Sequence, residues 1–519
     1  MSNKKTHVIR IAAIVALGGF LLGFDASVIS GVVKFIEPEF NLTKLELGWA
    51  VGCITLTAAL GMVIAGPLSD SWGRRRVLKY AALLFTASAL GSALAPTFFT
   101  LIIARLIGGL AVGASLILAP VYIAEVAPPE KRGQLVSFNQ LNIVIGVSLA
   151  FFTNYMILQL GQSNSSWALS MGFHEWNWRW MLGLETIPAI LYYLGLFLVP
   201  RSPRWLMMKS RDDEAVRVMQ KLISEEEALI QIKSVKASIE AEKNKKKVHV
   251  GEIFVPAMRK VIVIGLLVGI FQQIVGINAV LFYAPMIFEQ TGIGTDASFV
   301  QAILVGLTNL VFTIIAMATI DKLGRKPLLI FGMAGIALFL FVLAYGFQSA
   351  TYNLTDAAIA DLPQEIDRTG LGALVDKTYD SDLVFKEALN TAMGEAGASV
   401  HEATLITAAT HMNTTLILLG ILGFVAAYAV SIGPVMWVLF SELFPNRIRG
   451  LAISFVGLVN LAVAFTVQLI FPWELSILGS ATTFLIYAIF AVIGFVLIWI
   501  KVPETKGKSL EELQALLIK

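Results

Sequence analysis

Twelve separate runs of mostly apolar residues leave this chain very few folds. They lie near 9–33, 47–68, 77–95, 98–123, 135–160, 179–199, 259–289, 298–320, 327–347, 413–440, 450–472 and 477–500. A helix crosses a bilayer with about 20 residues and a tilted strand with about 10, so runs of this length read as helices. The expected fold class is an all-α membrane protein with twelve transmembrane helices. With 57% hydrophobic and 14% charged residues, against about a quarter charged in a soluble domain, the chain could not cover its own surface as an ordinary soluble enzyme. The first run holds Asp25, is too long for a signal peptide and lacks a small-residue cleavage site. It is read as a span.

Lysine and arginine set the orientation, because cytoplasmic loops collect them. With both termini inside, 32 of the 39 basic residues fall on the cytoplasmic side. Six fall outside (Lys34, Lys44, Arg179, Arg368, Lys377 and Lys386), and Arg105 sits within a span. The net charge of +3, with no basic tract interleaved with aromatics, argues against a nucleic-acid partner. The single Cys53 excludes an internal disulfide and a cysteine metal site, and none of the five histidines lies in an apolar run. No metal and no cofactor are expected. No nucleophile–base pair in the spans marks an enzyme.

Two loops repeat. One reads G-P-L-S-D-S-W-G-R-R-R from Gly66, the other D-K-L-G-R-K from Asp321, so Asp70, Gly73 and Arg74 match Asp321, Gly324 and Arg325 at an offset of 251. Glu125 with Arg132-Gly133 matches Glu442 with Arg449-Gly450 at an offset of 317. The difference of 66 demands an insertion in the second half, and residues 348–412 supply it. That stretch has ten acidic and three basic residues and only weak helical periodicity, and is expected to form a small outer cap. The expected organisation is an N-terminal six-helix half (1–199), a cytoplasmic helical linker (200–258) and a C-terminal six-helix half (259–519). The last carries the extracytoplasmic insertion and a cytoplasmic tail at 501–519. Parallel repeats of this kind occur in transporters that rock two halves about a midplane site. In the linker, helices are expected to start around Asp212 and at the capping box Ser224…Glu227, and a further box, Ser509…Glu512, lies in the tail.

Several motifs resemble the sugar porters of the major facilitator superfamily. They are Arg74 with its repeat partner Arg325, P-V-Y-I-A-E-V-A-P (120–128), Arg132-Gly133, S-P-R-W-L (202–206), F-Q-Q-I-V-G-I-N (271–278), G-P-V-M-W (433–437) and V-P-E-T-K-G (502–507). The match runs along nearly the whole chain except 348–412. Within the family it is most like bacterial proton-coupled xylose symporters, and more distantly like animal facilitative glucose transporters. The resemblance implies the major facilitator fold, monosaccharide transport by alternating access, no cofactor, a functional monomer in the lipid bilayer and a bacterial inner membrane.

Three ionisable residues lie inside the N-terminal spans: Asp25, Arg105 and Glu185. A lone charge at mid-helix costs about 2.5–3.5 kcal/mol on insertion scales, so it faces a cavity or a partner. Asp25 and Arg105 could be a structural ion pair. They could equally be a proton site, where Arg105 favours ionised Asp25 and protonation of Asp25 releases it. Proton-coupled family members have an acid at the position of Asp25 and an arginine at that of Arg105, whereas facilitative relatives usually lack the acid. Glu185 also matches the family and has a structural role as its alternative.

A sugar needs planar amides that donate and accept at once, and an aromatic face. The C-terminal spans offer Gln272, Gln273, Asn278, Asn309 and Asn460 with Tyr283 and Trp437. Singly, each amide could be interhelical glue; together, at family positions, they make a substrate-binding set. Three departures bear on the substrate: Val147 replaces a glutamine common in relatives, Phe282 a tyrosine, and Leu461 a tryptophan. A pentose, hexose or polyol other than xylose or glucose is therefore open.

On the cytoplasmic side, Arg74, Arg132, Arg325 and Arg449 could pair with Asp70, Glu125, Asp321 and Glu442 as a latch, or serve only as positive-inside anchors. Arg201 stands where relatives commonly have glutamate. Gly433-Pro434 interrupts the helical ladder of span 10, as a gate hinge or as a static kink. Four N-x-S/T sites (Asn41, Asn164, Asn353 and Asn413) all fall outside. The function these features imply is import of a monosaccharide with protons. A facilitative uniporter and a non-transporting sugar sensor of the same fold are the alternatives, although such sensors usually have a longer tail than 501–519.

Overall fold

The computed structural model describes residues 2–128, 132–243, 249–363, 366–445, 447–508 and 512–513. Among them, ten helices are long and apolar enough to cross a membrane. One of these, Arg449–Lys501, is two spans joined at Gly479, where the backbone turns to a φ of 74°. A further helix, Arg74–Ala93, opens with Arg74, Arg75, Arg76 and Lys79, which dilute its hydropathy but leave it a span. The twelve helices expected from the sequence are thereby accounted for.

The spans are, in order, Ser2–Glu39, Lys44–Trp72, Arg74–Ala93, Phe98–Val126 and Arg132–Gly161. Span 6 is broken into Asn177–Gly183 and Thr186–Leu198, and span 7 into Arg259–Ile274, Ile277–Phe282 and Ala284–Glu289. Spans 8 and 9 are Thr295–Leu323 and Arg325–Gln348, span 10 is Thr414–Val430 with Ile432–Leu443, and spans 11 and 12 share the kinked helix. Glu185 lies in the break of span 6, and Gln273 and Asn278 flank the first break of span 7. A helix interruption inside a membrane frees backbone groups and persists only where protein partners take them up.

By contacts the chain falls into two units, which do not follow the sequence halves. One comprises 1–28, 53–150 and 179–256; the other comprises 29–52, 151–178 and 257–519. In the first, spans 1 and 5 approach closely: a β-carbon on Gly23 would fall on the Ile143 carbonyl, and one on Gly146 on the Phe20 carbonyl. Without a hydrophobic drive between helices in lipid, such small-residue contacts do the packing. In the second unit, the far ends of spans 1, 2 and 5 join the C-terminal helices. Lys34 pairs with Glu289 at 2.6 Å and bonds Thr295. Gln162 donates to Asp296 at 2.8 Å, and Trp49 meets Phe465 edge-on at 5.6 Å.

The insertion is more ordered than its weak periodicity suggests. It holds a three-stranded antiparallel sheet of β1 (Thr351–Asn353), β2 (Thr378–Tyr379) and β3 (Thr410–His411), in the order β2-β1-β3. Tyr352 pairs with Tyr379, and Thr351 with His411. Helices Asp382–Met393 and Glu395–Ala409 complete a small core around Tyr352, Phe385, Leu389 and Leu405. Strands of two or three residues are too short to show an alternation in sequence. The cap rests on span 7, where Thr407 Oγ1 donates to the Glu289 carbonyl at 3.3 Å.

The linker forms helices Pro203–Met208, Asp212–Leu222 and Glu225–Lys243 around Trp205, Leu206, Ala215 and Ile239. The capping box closes as expected: Ser224 N donates to Glu227 at 3.1 Å and Glu227 N to Ser224 at 3.3 Å. Ser509 of the expected tail box, and the side chain of Arg132, lie outside the described residues.

Candidate functional site

Gly276 shapes the first cluster. Its φ of 86° is left-handed, a conformation glycine adopts at no steric cost, and a β-carbon there would fall on the Tyr487 ring. The turn ends one helical segment just after Gln272 and Gln273 and begins the next just before Asn278. Asn278 Nδ2 then donates to Gln273 Oε1 at 2.8 Å. Gln273 Nε2 donates to Asn460 Oδ1 at 3.2 Å and to Gln272 Oε1 at 3.1 Å. Asn460 Nδ2 donates to Gln272 Oε1 at 2.8 Å and to the Gly269 carbonyl at 2.7 Å. Gln272 Nε2 reaches the Gly433 carbonyl at 3.2 Å, where span 10 has restarted after its break at Ser431.

Four amides from spans 7 and 11 thus form one linked set, anchored on the backbone of spans 7 and 10. Gln272, Gln273 and Asn460 are buried and Asn278 is half-buried. Three other expected members stand apart. The Tyr283 hydroxyl donates to the Gln468 carbonyl at 2.9 Å instead, and its ring lies beside Phe471. Asn309 is half-buried on span 8 and bonds none of the four amides among the described residues. Trp437 is 40% exposed and meets Phe440 edge-on. The carbonyl of Gly433 lies outside the set expected from sequence, because a backbone acceptor has no residue type to betray it; only the Gly-Pro interruption points there.

The second cluster lies in the other unit. Arg105 Nη1 is 3.7 Å from Asp25 Oδ1, and both side chains are almost wholly buried. Gly108, one turn along span 4, leaves room beside the cluster: a β-carbon there would fall on the Ser88 hydroxyl and lie 3.2 Å from Asp25 Oδ2. Glu185, buried at the break in span 6, feels the charges of both Asp25 and Arg105. Asp25 Oδ2 and Glu185 Oε1 are buried with no hydrogen-bond partner among the described residues. Two buried carboxylates thus attend one buried guanidinium.

The third set repeats across the chain. Arg74 bonds Asp70 at 2.7 Å and Glu125 at 3.2 Å; Arg325 bonds Asp321 at 3.0 Å and Glu442 at 2.7 Å. Ser202 donates to Glu125, and Thr505 to Glu442, each at 2.5 Å. Arg449 departs from the expected pairing. Its Nε donates to the Phe444 carbonyl at 3.1 Å, five residues back, and its Nη2 is buried with no hydrogen-bond partner among the described residues.

Twelve spans in a twofold repeat, a set of amides in the second half and a buried acid–base cluster in the first define a secondary transporter of the major facilitator type. The chain belongs to the sugar porter family: the model of the family described as "Sugar (and other) transporter" matches residues 11–360 and 390–517. It is 34% identical to the arabinose-proton symporter of Bacillus subtilis (strain 168), over 100% of this chain and 97% of that protein. It is also 34% identical to the D-xylose-proton symporter of Escherichia coli (strain K12), over 99% and 96%. Among solved structures it resembles the partially occluded inward-open conformation of the xylose transporter XylE from E. coli. The TM-score is 0.74 at 32% identity, covering 97% of this chain and 100% of that one. The unmatched stretch between 360 and 390 falls in the cap.

Proposed function

We propose that the chain imports a monosaccharide together with a proton by alternating access, as a monomer. The amides Gln272, Gln273, Asn278 and Asn460 hold the sugar, and Asp25 with Arg105 and Glu185 carries the proton. The observation that carries this reading is the buried Asp25–Arg105–Glu185 cluster, which has two carboxylates to one guanidinium. Relatives whose names include arabinose- and xylose-proton symport support it. Val147, Phe282 and Leu461 leave the sugar a pentose, hexose or polyol. An inward proton gains about 2.3 kcal/mol per 100 mV of membrane potential, enough for about fiftyfold accumulation. Proteoliposomes holding the purified chain should concentrate one of a panel of labelled monosaccharides only when an inward proton gradient is imposed. Uptake that merely equilibrates, with or without the gradient, would replace symport by uniport.

The same reading places both termini and the linker in the cytoplasm of a bacterial inner membrane and the cap outside, on the split of basic residues. Cys53 is buried, so cysteines introduced singly at Ser381 and at Ser238 report topology cleanly. Ser381 should react with an impermeant maleimide in intact cells, and Ser238 only after permeabilisation. Equal labelling of both in intact cells would reverse or dismantle the assignment.

A further inference from the structure

One end of each half carries the same device, and it is complete in only one of them. In the C-terminal half, the Glu504 carboxylate accepts from the backbone N–H of Arg325 at 3.1 Å and of Lys326 at 3.0 Å. It thereby satisfies orphan donors at the start of span 9 and offsets the helix dipole. Thr505, its neighbour, makes the bond to Glu442 already described. In the N-terminal half, Ser202 makes the corresponding bond to Glu125, which puts Arg201 where Glu504 stands. Gly73 begins span 3 as Gly324 begins span 9, neither with a side chain to cap the helix, and Arg201 has no acceptor to put in place of the Glu504 carboxylate.

A cavity of about 520 Å³ opens at this spot. Arg75, Arg76, Lys79, Arg201, Lys209 and Arg211 line it, and no carboxylate does among the described residues. Arg74 lines it too, but is taken by Asp70 and Glu125. Glu214 alone serves both Arg201, at 3.6 Å, and Arg211. Such an excess of positive charge beside a helix N-terminus calls for an anion, and a phosphate offers the charge and the acceptor oxygens that the absent carboxylate would have given.

The surroundings say what kind of phosphate. Trp72 lines the cavity and meets Tyr80 edge-on at 5.7 Å. Lys79 Nζ lies 3.1 Å from the centre of the Phe197 ring. Arg75 donates to the carbonyls of Leu196 and Phe197, both at 2.9 Å, where span 6 ends. Trp72, Tyr80, Phe197 and Leu198 are all exposed large apolar side chains. Cations therefore sit at the mouth of an apolar, outward-facing wall, the depth at which lipid headgroups lie. A soluble phosphate has no use for that wall, whereas an acyl chain does. We propose that this cavity binds the phosphate of an anionic membrane lipid, which completes in the N-terminal half the capping that Glu504 performs in the C-terminal half.

The test uses the purified full chain in phosphatidylcholine with or without phosphatidylglycerol, read by thermal unfolding and by lipid retention in native mass spectrometry. The parent should unfold at a higher temperature with phosphatidylglycerol and should retain it. Arg201→Glu returns the carboxylate to the chain. It should unfold in phosphatidylcholine alone as late as the parent does with phosphatidylglycerol. Its retention of that lipid should fall about thirtyfold, since the reversal removes two charge units each worth about fivefold near a membrane surface. Lys221→Glu, the same reversal on the linker away from the cavity, should keep the parent's response. If Arg201→Glu does not fold, Lys209→Gln with Arg211→Gln carries the same test through the loss of retention. No response in the parent, or the same response in parent and cavity variant, overturns the proposal. So does an equal loss in Lys221→Glu, which would mean diffuse attraction. Inorganic phosphate that stabilises the parent as well as the lipid does would put a soluble phosphate in the cavity and overturn the lipid assignment. These readouts do not involve sugar, so failure here is distinct from failure of the transport reading.

Discussion

Replacing Asp25 by asparagine is expected to abolish uphill sugar accumulation while leaving sugar-for-sugar exchange intact. The expectation follows from charge counting in the buried cluster. Asp25 and Glu185 bring two carboxylates to one guanidinium, that of Arg105, which stands 3.7 Å from Asp25. Asparagine keeps the shape of the protonated acid and removes the site that alternates between states. A loaded carrier can still cross in both directions, so exchange of labelled for unlabelled sugar continues. A gradient worth about fiftyfold accumulation should fall to none, and sugar-induced alkalinisation of the medium should vanish with it. Both activities are to be measured in the same vesicles. An Asp25→Asn protein that still concentrates sugar under a pH gradient would remove Asp25 from the coupling role, and Glu185→Gln would then be examined in its place.

Gln273→Ala is expected to weaken sugar binding by about 5- to 150-fold. Gln273 is the hub of the amide set, joined to Gln272, Asn278 and Asn460. Its loss leaves buried donors and acceptors unmet, at about 1–3 kcal/mol, and removes a group that both gives and takes hydrogen bonds. Isothermal titration with the transported sugar reads the change directly. Thermal unfolding of the same sample separates lost binding from lost structure. A variant that binds as the parent does would place the sugar elsewhere.

The spans were legible because a bilayer imposes length and apolarity on every helix that crosses it, and the twelve runs show both. The amides and the acid–base trio were legible for the complementary reason: polar groups are costly in that setting and stand out. What sequence could not show was direction. Tyr283 occupies an expected position, yet the turn at Gly276 and the neighbouring Phe471 lead its hydroxyl to the Gln468 carbonyl. Arg449 is the repeat partner of Arg132 and is expected in the latch, but its Nε bonds back to the Phe444 carbonyl. The cap hid its sheet in strands of two and three residues. The exchange of Glu504 for Arg201 between the repeats was present in the sequence all along. It gained meaning only when Thr505 and Ser202 were seen to make the same bond.

The amide set has one more consequence, for the half of the turnover in which no cargo is aboard. A symporter must bring its vacant form back across, and a pocket of unmet amides closing around nothing would oppose that return at a few kcal/mol for each stranded group. Here Gln272, Gln273, Asn278 and Asn460 satisfy one another, with the Gly269 and Gly433 carbonyls absorbing the remainder. On the proposed reading that these amides hold the sugar, it exchanges partners with groups that were already content. Affinity is surrendered by that exchange, and an unhindered homeward stroke is what the carrier receives for it.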